Sequence, residues 1–275
     1  MPKLTVAWSE GWLWLSGSLL LAVLCTNLAW FFRQPRPGAI GEFVTHLVAW
    51  RFSPWLLQLL RLLYYIGVPF AALLWGHDAV VGQLLGLQQF DLPISGGKEV
   101  GADIAANWLD WAHDVGWAVA LGVGAWGLLA LGWWAYRRAL VTAGMTSGKG
   151  DMVTGANSSG WVLLREAAYY EAHWVFYRNA PTLAAGTYWG VWIGLALVAL
   201  ETMLNPTWHR DLVDPQRAPA RLLGGALAII SGVLFLLTQN LWLAVALHWG
   251  VSWGLATSAQ VLPPPFARQP DQTPA

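Results

Sequence analysis

Leu236-Leu237-Thr238-Gln239-Asn240-Leu241-Trp242-Leu243-Ala244-Val245-Ala246-Leu247-His248-Trp249-Gly250-Val251-Ser252-Trp253 decides how the rest of this chain is read. A polar Thr-Gln-Asn turn closes one apolar run and opens another. The second run carries a histidine well inside it, with Ser252 one turn further on. Runs of about 20 apolar residues are long enough to cross a bilayer as helices. The stretch therefore reads as a closing helical hairpin, 222–238 and 241–261. A buried histidine on its own is more often a hydrogen-bonded core residue than a catalyst. An ionisable group at membrane depth is nonetheless costly, which makes His248 a functional candidate.

Working outward, the 275 residues are 56% hydrophobic and 11% charged, against about 25% charged in soluble domains. That deficit places the chain in a lipid bilayer. Further spanning runs lie at 12–32, 54–75, 104–136 and 182–204. Arg33-Gln34-Pro35-Arg36-Pro37 ends the first, because proline cannot continue a helix. The second carries Arg61, free to snorkel or pair, and Pro69, a source of a kink. The third begins with Asp110, His113 and Asp114, so its membrane part starts near Val115. Residues 41–52 read as a short amphipathic surface helix, and 162–178 as a helix of unusual polar content. Polar connections are expected at 76–103, 139–160 and 205–219, and a disordered Pro-rich tail at 262–275. The fold class is all-α: one polytopic transmembrane bundle, residues 1–261, of about six to seven spanning helices. No cleavable signal peptide is evident.

Net charge is zero, so no nucleic-acid partner is expected. Cys25 is the single cysteine, which rules out an intramolecular disulfide and a cysteine-based zinc site. Many of the 21 tryptophans fall near run ends, as an aromatic belt requires; a Trp-lined pigment or quinone pocket is the sharper alternative. Arg33, Arg36 and Arg51 flank the first connection, and Arg137, Arg138 and Lys149 the third. By the positive-inside rule these two connections are cytoplasmic. If 162–178 spans, the 205–219 loop and the C-terminus are cytoplasmic too. A multi-pass protein of a bacterial-type plasma membrane is the expectation.

Four polar clusters remain. In Arg165-Glu166-Ala-Ala-Tyr169-Tyr170-Glu171-Ala172-His173-Trp174-Val175-Phe176-Tyr177-Arg178, Glu171 and Arg178 are seven apart and share a helix face. His173 and Tyr177 share another. A carboxylate deep in a bilayer takes up a proton unless paired, a property that suits a general base. The alternative is an interfacial helix with solvated charges. The second cluster is His248 with Ser252. The third is Glu201, read as interfacial. The fourth is Asp110, His113 and Asp114, read as a solvated helix start; two or three ligands on one helix make a weak metal site. No cofactor is expected, and metal use stays open.

Taken together, the first two clusters resemble the CPBP intramembrane proteases, the CAAX-processing and bacteriocin-processing (Abi) family, over roughly 160–257. The resemblance is best in Gly232-Val-Leu-Phe-Leu-Leu-Thr238-Gln-Asn240-Leu-Trp242-Leu-Ala-Val-Ala-Leu-His248. Upstream, Glu171-Ala-His173-Trp174-Val-Phe176-Tyr177-Arg178 is similar to the family's Glu-Glu-x-x-x-Arg segment. The resemblance implies a helical bundle with a polar cavity that cleaves a membrane peptide or protein near the bilayer. Glu171 would be general base, His248 would hold water or the oxyanion, Arg178 would position Glu171, and His173 would replace a lost ligand. The chain departs from the pattern: Ala172 follows Glu171, and the Glu171–Arg178 gap is two residues longer. Aligning on Arg178 puts His173 and Trp174 where the two glutamates belong. The family's Phe-x-x-x-His segment has no match, since 188–204 holds no histidine and only Glu201 is charged there. These departures set a second reading beside the endopeptidase: a noncatalytic relative that serves as a scaffold or binding subunit.

Overall fold

A computed structural model of the chain describes residues 2–34, 38–75, 100–144 and 159–261. Much of the expected 76–103 and 139–160 connections, Arg36, Lys149 and the tail from 262 lie outside these residues. Helix α1 runs Pro2–Arg33, and α2, Ala39–Ala49, follows Gly38 at φ 90°. Helix α3, Ser53–Leu62, passes through a widened π turn at Leu63–Gly67 into α4, Val68–Trp75. Pro69 accounts for the wide turn. Its nitrogen has no hydrogen to donate, and its ring would press on the carbonyl four residues back, at Tyr65.

Helix α5, Val100–Thr142, is continuous, so it extends into both segments expected to be loops. Helix α6, Gly160–Met203, reverses direction at Gly186, where φ is 79° and ψ 167°. The break was expected at 179–181; Pro181 instead lies inside the first arm. The arms 160–185 and 187–203 pack antiparallel through Gly190 and Gly194. A Cβ on Gly190 would lie 2.5 Å from Thr182 Cα, and one on Gly194 2.9 Å from Arg178 Cα. Small residues at this spacing let membrane helices meet backbone to backbone.

The 205–219 segment, expected as a loop, holds α7, Pro206–Val213. Asn205 caps it, accepting from Thr207 N at 3.0 Å. Helix α8, Ala218–Thr238, ends at Gln239 in the left-handed region, φ 49°. Asn240 Oδ1 then accepts from Trp242 N at 3.0 Å and Leu243 N at 3.3 Å, opening α9, Leu241–Val261. The Thr-Gln-Asn turn thus works by ordinary capping.

Every regular element among the described residues is helical. Among the described residues five stretches are long and apolar enough to cross a membrane: Gly11–Arg33, Ser53–Ala72, Trp108–Thr142, Gly160–Met203 and Ala218–Thr238. The fourth contains both arms of the α6 hairpin. Leucines along the outside are strongly exposed, Leu20 by 70% and Leu128 by 74%, a surface compatible with an integral membrane protein. Inside, Leu163, Trp174, Leu227, Leu234, Leu247 and Leu255 form one core where α5, α6, α8 and α9 meet.

One end of the bundle gathers the arginines. Asn27 of α1 donates to Leu204 O at 3.4 Å, and Arg210 lies over the Trp30 ring. Tyr136 of α5 donates to Pro215 O at 2.7 Å, and Trp249 of α9 to Gly160 O at 2.9 Å. These contacts bring the ends of α1 and α5, the start of α6 and the α7 segment together, and with them Arg33, Arg137, Arg138, Arg210, Arg217 and Arg221. Asp211 is buried here, held by Arg221 at 2.5 Å and Arg217 at 3.4 Å. Burial pushes its carboxyl up, but the two guanidiniums outweigh this and hold it below the usual aspartate range. The clamp therefore stabilises the fold above about pH 4 and is lost as pH falls through Asp211's depressed pKa. Both arginines are substantially exposed, so the contribution is at most about 1 kcal/mol. Thermal melts of wild type and Asp211→Asn should converge below about pH 4 and separate above it; a separation independent of pH would contradict the clamp.

Candidate functional site: two buried acid–imidazole pairs

The first arm of α6 presents Glu171 toward α8 and α9. Its side chain is completely buried. Oε1 lies 3.0 Å from His248 Nδ1, and Oε2 accepts from the Ser231 hydroxyl. Arg178, two turns along the same face, donates from Nη2 to Ser231 Oγ at 3.4 Å, and its guanidinium stacks over Phe235 at 5.2 Å. Ser231 thus stands between the buried cation and the buried carboxylate. An isolated charge here would be prohibitively costly; Ser231 links the two groups, while Arg178 Nη1 is buried with no hydrogen-bond partner among the described residues. The His248 ring lies flat against Tyr170 and Trp174, with centroids 6.1 and 5.4 Å away. Ser252, one turn further, is buried beside this cluster on the same helix.

His173 does not join this group. Two residues along a helix is a rotation of about 200°, so His173 faces the π turn instead. Its Nε2 lies 3.0 Å from Glu201 Oε2. The Tyr64 hydroxyl donates to Glu201 Oε1 at 3.2 Å and lies 3.4 Å from both the Tyr177 hydroxyl and His173 Nε2. Tyr65 packs edge-on against His173. Nearer the basic end, Arg61 grips Glu166 with two hydrogen bonds, 3.1 and 2.5 Å, so Arg61 pairs.

The structure therefore brings Glu171, Arg178 and His248 together and sets His173 apart, with Glu201. Tyr64, Ser231 and the Glu201 pairing were missed in the sequence. A hairpin register centred on Gly186, read from the glycines at 186, 190 and 194, places 173 close to 201 and would have found the pair. Nothing distinguishes Ser231 from any serine in an apolar run. Asp110, His113 and Asp114 lie on the exterior of α5. There His113 is 3.7 Å from Asp114 and accepts from Trp117 Nε1 at 3.2 Å. Among the described residues no group of three His, Cys, Asp or Glu is placed to hold a metal ion. The chain matches no protein-family model, no curated protein and no solved structure.

Proposed function

We propose that this chain is a multi-pass, bacterial-type plasma-membrane endopeptidase of the CPBP kind, with its basic end cytoplasmic and Glu171 and His248 as one proton-accepting pair. The observation that carries the reading is their direct contact, 3.0 Å across two helices far apart in sequence. Ionised Glu171 fixes the His248 Nδ1–H as donor and leaves the Nε2 lone pair as the basic end of the pair. Water held there loses its proton as it attacks a peptide carbonyl. Arg178, acting through Ser231, holds the carboxylate in place. Glu171 is eleven residues from Gly160, about 16 Å along the helix, roughly half the length that a spanning helix covers. That depth suits a substrate segment drawn into the bilayer.

The test is Glu171→Gln, which keeps the shape and loses the charge: cleavage of membrane-anchored peptides should disappear while the fold persists. One observation favours the second reading, a noncatalytic relative acting as a scaffold: Glu171 is 0% exposed and both its oxygens are engaged. On that reading wild type and Glu171→Gln are equally inert.

A further inference from the structure

We propose that Glu201, with His173, Tyr64 and Tyr177, forms a separate proton-exchange site reached from the basic end of the bundle. It is independent of the peptidase reading. Carboxylates and imidazoles at membrane depth are rare and mark proton pathways, and this pair differs from the first in exposure. The Glu201 side chain is 17% accessible and that of His173 3%, whereas Glu171 is 0%.

The fold sets polar main chain next to the pair. The second arm of α6 stops at Met203, short of the basic end, and polar main chain continues from there through the Asn205 cap and α7. Asn27 reaches into this segment at Leu204 O. The π turn delivers Tyr64 onto Glu201 Oε1, while the first arm of α6 delivers His173 and Tyr177. Ser18 of α1 borders the two tyrosine hydroxyls, and Tyr65 covers the His173 ring. Arg61, the nearest arginine on α3, is engaged by Glu166, and Arg178 faces the other side of α6.

Two buried polar atoms here, Ser18 Oγ and His173 Nδ1, are left over, and the imidazole nitrogen is the basic one. His173 Nδ1 is buried and has no hydrogen-bond partner among the described residues. With Nε2–H donating to Glu201, Nδ1 carries a lone pair aimed at nothing, a costly arrangement unless something occupies it. A proton from water fits it. When Nδ1 takes that proton, the Nε2 proton passes to Glu201 Oε2. The product is a neutral imidazole with Nδ1–H and a protonated carboxyl, so charge and protons balance with no side chain moving.

A hydrophobic carbodiimide adds to protonated carboxyl groups within membranes and leaves a stable N-acylurea readable by peptide mass spectrometry. Full-length protein in lipid nanodiscs is treated with dicyclohexylcarbodiimide at about pH 6 and about pH 8, a range spanning imidazole titration. The expected result is an adduct on Glu201, greater at the lower pH, none on Glu171, and loss of the adduct in Glu201→Gln. Absence of a Glu201 adduct at both pH values, or equal labelling of Glu171, would overturn the proposal. The wild-type comparison stands even if the variant does not fold, and no cleavage assay enters it.

Discussion

Gly194→Val is expected to leave little folded protein in detergent, and Gly190→Val less still. At Gly194 even the first added carbon would lie 2.7 Å from Arg178 Cγ and 2.9 Å from its Cα. At Gly190 it would lie 2.5 Å from Thr182 Cα. The two Cα atoms are main chain on the facing arm, so no rotamer change relieves those contacts. Overpacking a well-filled site costs about 1–3 kcal/mol, occasionally more; prising apart the α6 arms belongs at the top of that range or above it. The damage also reaches both polar pairs, because Arg178 is on one arm and Glu201 on the other. Gly224→Ala on α8 is the control. Its added carbon meets nothing within 4 Å, and alanine is favoured over glycine in a helix interior by about 1 kcal/mol. Melts should show Gly224→Ala at or above wild type while both valine variants collapse. A stable Gly194→Val would mean that the arms are not packed as described.

His248→Ala should cost about 3–5 kcal/mol, the usual penalty for removing one partner of a buried pair. Glu171 has no solvent to turn to, being wholly enclosed by α6, α8 and α9. Ser231 alone would then face the carboxylate. Adding Glu171→Gln removes the stranded charge and should recover most of that loss. The recovery is the diagnostic part, since an imidazole that merely filled space would leave the double variant as weak as the single one. Glu171→Gln by itself keeps an oxygen acceptor and the side-chain volume, so its fold should survive.

The sequence announces the membrane helices and the 238–241 turn because each rests on local chemistry: apolar runs, an asparagine cap, a left-handed C-terminal residue. It also pairs Glu171 with Arg178 by helical spacing, although Ser231, on another helix, turns out to bridge them. The α6 reversal lies at Gly186, not between the 162–178 and 182–204 runs, and Pro181 does not break the helix. Proline is tolerated in a packed membrane helix where neighbours satisfy the freed carbonyl, and the chain turns five residues later, at Gly186. From that shift follows the misreading of Glu201. Near the end of an apolar run it looks interfacial; only when the arms fold back does it meet His173. His173 is set apart from Glu171 for a simpler reason. Two residues apart on a helix means nearly opposite faces, so Glu171 meets His248 while His173 meets Glu201.

The most direct measurement is cleavage of membrane-anchored reporter peptides by purified wild type and Glu171→Gln in the same nanodiscs, with matched melts confirming both folds. The account predicts new peptide termini with wild type and none with Glu171→Gln. Equal cleavage by the two proteins would remove Glu171 and His248 from the chemistry, and no cleavage by either would contradict the endopeptidase reading in favour of a noncatalytic scaffold.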